Sequence, residues 1–290
     1  MTDTAPIRPM PATALAGDLI KHLRHVRARV QAGKTPGVPS GIPSIDRAMG
    51  GLQTGVILLA ASPGAGKTSL ALQIARRAAA ADTAVVYLAF DESGDRLALK
   101  LAAAQGGLSA TSYLKGEGDP DDIERAMEKH HDLLSRIRIL GGTASVSVAD
   151  AVLMVGEAME ISGCGDGLLI VDFLQSWAAG LDASGDFRVA VSNMMGELRA
   201  AAAAGGIPVL AITAQNRSGQ GQASLASLRE SSDAEYVCDS ALFLTSEDTE
   251  MREPRRRVTL TCMKNRWGPL FDTDLIFDAE RGTFSEGRRQ

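Results

Sequence analysis

The chain is short of cysteine, of membrane-length apolar runs, of a leader-like start and of surplus positive charge, and each shortage narrows the field. Its three cysteines, Cys164, Cys238 and Cys262, are scattered with no C-x-x-C spacing. That argues against a disulfide framework or a zinc site and fits a reducing cytoplasm. The opening MTDTAPIRPMPATA has no apolar core of the kind that marks a secretory leader. The nearest approach to a spanning run, near 200–214, is broken by Gly205, Gly206 and Pro208. A soluble cytoplasmic protein with no membrane partner is expected. The formal net charge of −5 supplies no general attraction to nucleic acid or anionic lipid. Two local basic stretches, KHLRHVRARVQAGK near the start and REPRRR at 252–257, read as solvated surface.

What remains is ordinary globular material: 290 residues, 45% hydrophobic and 22% charged, enough for one large α/β domain with at most a short appendage. Residues 1–14, with Pro6, Pro9 and Pro11, offer little to pack and are predicted to be disordered. Leu15, Leu19, Leu23, Val26 and Val30 then recur at helical spacing and predict an amphipathic helix over 15–32. Such a helix either packs on its own domain or forms an arm that packs on a neighbour. GKTPGVPSGIPS breaks it.

From there strands and helices alternate. Apolar runs at 55–61, 83–90, 136–140, 167–173 and 207–213 read as strands covered on both faces. Helical stretches at 68–81, 94–105, 147–162 and 188–204 separate them. After residue 238 closely spaced strands follow in SALFLT, RVTLTCM and DTDLIFD. The class implied is α/β: a mostly parallel central sheet flanked by helices, extended by antiparallel C-terminal strands, with no internal repeat.

Four stretches carry chemistry. ASPGAGKTSL (61–70) lies between a strand and a helix, the context that a G-x-x-x-x-G-K-[ST] phosphate loop requires, although Ala61 holds the first position. Backbone N–H groups across Ser62, Pro63, Gly64, Ala65 and Gly66, except at the proline, can converge on phosphate oxygens at the helix N-terminus, with Ser69 just beyond. Lys67 would reach the β- and γ-phosphates of ATP, and Thr68 would hold Mg²⁺. GLLIVDFLQ ends a strand in Asp172, placed to hold the same metal through water or, alone, to cap a helix. YLAFDES sets Asp91 and Glu92 at the end of the strand after the loop. If that strand lies beside the phosphate-loop strand, either acid could polarise an attacking water; Asp91, Glu92 or Ser93 could instead start the next helix. Finally, CMKNRWGP presents Lys264 and Arg266 two apart after a strand. Residues at that spacing on extended chain point the same way. The pair suits a γ-phosphate contacted from a neighbouring subunit or, more plainly, a charged strand edge.

Together these stretches resemble the C-terminal ATPase domain of DnaB-type replicative helicases, a branch of the RecA-like P-loop NTPases, from about residue 36 to 284. SGIPSIDRAMGGLQTG, LLIVDFLQ, LRESSDAEYVCDSALFL and KNRWGP carry the likeness in order, and alanine at the first loop position is familiar in that family. The resemblance implies a linker-type helix over 15–35 that docks on the adjacent subunit, and a RecA-like domain over 36–290. It implies a homo-oligomer, a hexameric ring or filament, in which Lys264 and Arg266 complete a neighbour's site. Asp91 falls where the family has its catalytic glutamate, while the acidic pair of the related RadA and KaiC proteins would add Glu92. ITAQNRS is similar to the γ-phosphate-sensing segment, with Gln215 one position late. About forty residues precede the ATPase domain, so the family's N-terminal partner-binding domain is expected to be absent. Single-stranded DNA would meet loops near 178–187 and 216–226, where Arg188 and Arg217 are the cations available and aromatics are sparse. The leading expectation is an ATP-hydrolysing translocase or helicase; a RecA/RadA/KaiC-like regulatory or recombination-mediator ATPase that does not unwind is the alternative.

Overall fold

The computed structural model describes residues 13, 16–61, 64–141, 146–181, 187–214, 237–246 and 253–287. An N-terminal helix, α1 (Ala16–Gln31), and a short helix, α2 (Pro43–Met49), precede strand β1 (Gly55–Ala61). Then come α3 (Lys67–Ala80), β2 (Thr83–Ala89), α4 (Gly94–Gly106), α5 (Ala110–Leu114), α6 (Pro120–Lys129), α7 (His131–Leu134) and β3 (Ile137–Gly141). The next stretch holds α8 (Val148–Ser162), β4 (Asp166–Asp172), α9 (Leu174–Leu181), α10 (Phe187–Gly205) and β5 (Pro208–Ala214). Four strands close the described chain: β6 (Ser240–Thr245), β7 (Arg255–Asn265), β8 (Phe271–Asp278) and β9 (Thr283–Glu286). Every long element expected from the sequence is present; α2, α5, α6, α7, α9 and β9 add to them.

All nine strands join one sheet in the order β3-β2-β4-β5-β1-β6-β7-β8-β9. The first six in space are parallel, and β7, β8 and β9 continue antiparallel. SALFLT, which opens the closely spaced C-terminal run, is itself parallel to β1, so the sheet changes sense only at β7. One adjacency that the sequence reading made a condition fails. β2 does not lie beside β1; β4 and β5 stand between them. The acids at the end of β2 therefore stand two strands away from the loop after β1, across β4 and β5.

Every residue of β1, β2 and all but the first of β4 is buried, because helices cover both faces. Alternation divides them between two cores. Ile57, Leu59, Val85, Tyr87 and Ile170 pack with α3 and α4, while Val56, Leu58, Val86, Leu169 and Val171 pack with α8, α9 and α10. At about 1.5–3 kcal/mol for each fully buried large aliphatic side chain, this central slab dominates the stability of the fold. Local signals set the helix limits: Ser147 and Asp150 form a capping box on α8, and Gly163 ends it in the left-handed region at φ 64°.

The helix α1 is different. Leu19, Leu23 and Val30 of its apolar stripe are about half exposed. What ties it to the domain is Arg29, 8% exposed, whose guanidinium pairs with Asp166 at the start of β4 and donates to the carbonyls of Thr35 and Gly37 at 2.9 Å each. Among the described residues no helix is long and apolar enough to cross a membrane, and the three cysteines are free and buried.

Candidate functional site

Parallel strands end together at one edge of the sheet, and helices start there with their N–H groups facing outward. The turn after β1 opens α3 at this edge. Gly64 and Gly66 adopt φ of 80° and 95°, a region costly for any side chain, and Gly66 is the cap residue before Lys67. A Cβ on Gly66 would also come within 2.8 Å of Phe284 and 2.9 Å of Phe277. Those two rings stack at 4.4 Å beneath the turn. The turn is thus held tight against the C-terminal strands, and α3 points its positive end into the space above it.

Side chains from three strand ends meet here. The Lys67 ammonium donates to the Ala61 carbonyl at 2.9 Å. The Thr68 hydroxyl donates to Asp172 Oδ2 at 2.8 Å, and the Tyr87 hydroxyl donates to the same oxygen at 2.6 Å. Burial is the leading influence on all three ionisable groups. It raises the Asp172 carboxyl above 3.8 against the two hydroxyl hydrogen bonds, and lowers Lys67 below 10.5 against the attraction of Asp172 and Asp91. It also pushes the fully buried Tyr87 phenol well up, so Tyr87 stays a donor. A buried carboxylate and a hydroxyl within hydrogen-bond reach, with a half-buried cation beside them, are hard oxygen donors next to an anion-binding turn. That donor set fits Mg²⁺ carried by a nucleotide: the cation would relieve the charge that burial makes costly on Asp172.

The two acids after β2 separate. Asp91 is exposed, accepts from the Ser176 hydroxyl at 2.9 Å and acts electrostatically on both Lys67 and Asp172. Glu92 instead holds the Lys100 ammonium at 2.6 Å. Ser93, not either acid, occupies the cap position of α4.

Lys264 and Arg266 lie at the opposite edge of the sheet from this site. Lys264 pairs in register with Ala241 near the start of β6, and β7 ends at Asn265, so extended geometry does not carry the pair onto one face. Arg266 is 43% exposed and rests 3.5 Å from Asp239, a buried acid that also accepts from the Val56 N–H at 3.0 Å. Ser62, Pro63, Gln215 and Arg217 lie outside the described residues, as do the side chain of Arg188, residues 182–186 of the first DNA-loop segment and the whole of 216–226. Ser69 sits in α3 within 3.6 Å of where a Cβ on Gly282 would stand. The sequence alone does not single out Tyr87, Ser176 or Asp239; only the apolar strand setting of Tyr87 hints at an inward hydroxyl needing a partner.

Comparisons with known proteins agree on the fold of the chain. The family model described as the DnaB-like helicase C terminal domain matches residues 37–286. The replicative DNA helicase DnaB of Geobacillus stearothermophilus is 25% identical over 260 residues, which cover 87% of this chain and 57% of that protein. The chain therefore spans little more than half the length of that relative. Among solved structures, one described as an ATPase domain matches with a TM-score of 0.79 at 22% identity, covering 93% of this chain and 97% of that one. A KaiC-like protein from Pyrococcus horikoshii OT3 matches at 0.59 and 18% identity, covering 87% and 99%. These likenesses establish the RecA-like fold.

Proposed function

Since the chain belongs to the DnaB-like helicase C-terminal domain family, matched over residues 37–286, we propose that it binds and hydrolyses ATP with Mg²⁺ and works in a head-to-tail ring that moves along single-stranded DNA. The observation that carries this reading is the convergence of Lys67, Thr68 and Asp172 at one edge of the sheet, with Arg266 exposed at the other. Lys67 and the backbone of Gly64, Ala65 and Gly66 would take the phosphates, and Thr68 and Asp172 would hold the metal, which when bound would supply positive charge beside the phosphoryl oxygens. Asp91 is the acid that orients the attacking water, because Lys100 already occupies Glu92. Arg266 cannot serve its own pocket across the sheet, so it serves a neighbour's, with Lys264 beside it. Exposed Trp267 and Leu270 next to Arg266, and the half-exposed stripe of α1, are surfaces such a neighbour would cover.

The test is ATPase rate with and without single-stranded DNA, alongside mass in solution with nucleotide. An assembly stimulated by DNA is expected; an assembled but DNA-indifferent ATPase would favour the regulatory alternative. Lys67→Ala is expected to abolish nucleotide binding, and Arg266→Ala to abolish turnover while binding persists. Mixing the two inactive variants should restore partial activity, because some interfaces then combine an intact pocket with an intact arginine. A monomer fully active as Arg266→Ala would overturn the ring.

A further inference from the structure

The basic run REPRRR is not uniformly surface. Strand alternation in β7 leaves Arg255 and Arg257 exposed and turns Arg256 inward, to 9% exposure. Its guanidinium lies 4.8 Å above the ring of Phe277, its partner across the β7–β8 ladder. One terminal nitrogen, Nη2, donates to the carbonyl of Gly64 at 2.6 Å, and Nη1 donates to the carbonyl of Glu253 at 3.1 Å. The buried Nε has no partner among the described residues. Burying a guanidinium with an N–H unpaired is costly, and an apolar side chain would cover Phe277 without that cost. What only the guanidinium supplies is its hold on the phosphate loop.

We propose that Arg256 is a positioning residue for the nucleotide, acting through the peptide between Gly64 and Ala65. In a trans peptide the carbonyl and the following N–H point in opposite directions. With the Gly64 carbonyl drawn toward Arg256, the Ala65 N–H is turned the other way, away from β7. Gly64 sits at positive φ and has no Cβ to restrict its ψ, so without this anchor the peptide can tilt about that bond and turn one donor away from the cradle. Charge-assisted hydrogen bonds to a carbonyl are strong enough to fix that choice. The inference rests on the reading of this loop as the nucleotide site.

The experiment compares full-length Arg256→Met, Arg256→Gln and Arg256→Lys with the unaltered chain. The readouts are affinity for a fluorescent ATP analogue with Mg²⁺, KM and kcat for ATP, and the melting temperature without nucleotide. The methionine and glutamine variants are expected to bind about tenfold more weakly and to show a KM about tenfold higher, with kcat within about twofold. Lysine, which still reaches the carbonyl with a charged donor, should recover most of the affinity. Unaltered affinity in whichever neutral variant folds would overturn the proposal, as would a loss that lysine fails to rescue. Lys67→Ala run in parallel separates the two layers of the argument. If it too binds as before, the nucleotide site has been misplaced; if it alone loses binding, only the role of Arg256 fails.

Discussion

Asp172 is the residue on which function and stability pull apart. Its carboxyl is buried and its pKa is raised above 3.8, so the folded state holds the proton more tightly than the unfolded chain does. The contribution of this group to stability is present below 3.8 and lost as pH rises through its folded pKa; at neutral pH the ionised form burdens the nucleotide-free fold. Asp172→Asn keeps an oxygen for the Tyr87 and Thr68 hydroxyls and removes the charge. It is expected to raise the nucleotide-free melting temperature at neutral pH by roughly 2–4 °C, about 1 kcal/mol, while abolishing hydrolysis. Melts across a pH series check this, since the gain should shrink as the pH falls toward the ordinary carboxylate range. Lys67 follows the same rule with the sign of its charge reversed: burial lowers its pKa because it disfavours the ammonium. Lys67, Thr68 and Asp172 are legible in the sequence because a strand, a turn and a helix announce them locally. Tyr87 and Arg256 are not, because their contacts bridge 85 and 192 residues. Nothing near them in the chain records a partner that distant.

Among the elements, β9 is barely visible in the sequence, and a buried side chain fastens its free edge. Its four residues, TFSE, carry a single apolar side chain, too little for period-two reading. Yet the Gln73 amide of α3 donates to the Phe284 carbonyl at 2.9 Å and accepts from the Phe284 N–H at 2.7 Å, all of it buried. The side chain replaces the missing neighbour strand at that position. Gln73→Leu strands both backbone groups and is expected to cost about 2–4 kcal/mol, read as a lower urea midpoint with an unchanged slope. Amide exchange in β9 should quicken by more than that in β1. The order of the central strands is likewise beyond the sequence: apolar runs show which segments are buried but not which run lies beside which. That is why the expected adjacency of β2 and β1 gives way to a separation by β4 and β5. The short helices α5 and α7 bury no residue, so no apolar stripe marks them.

For the molecule as a whole, the exposed stripe of α1 makes a prediction about assembly rather than folding. Leu19 and Leu23 are 54% and 50% exposed, so changing both to serine should leave monomer stability within about 0.5 kcal/mol. The same double change is expected to abolish nucleotide-dependent assembly, seen as monomer mass by light scattering in the presence of ATP. Retained assembly would show that α1 is not the arm. The fold also has a direction: the pocket occupies one edge of the sheet, while Arg266 and the Arg29 anchor of α1 occupy the other. If Arg266 serves a neighbour's pocket as proposed, two copies related by a two-fold axis could not each offer one edge to the other's opposite edge in the same manner, so such a contact would be heterologous and would repeat from copy to copy. This has a counting consequence. An open row of any number of subunits always ends in one pocket with no arginine facing it and one arginine with no pocket. Only closure makes the number of complete sites equal to the number of chains, so catalytic sites titrated per chain would distinguish a sealed circle from a split one without an image of either.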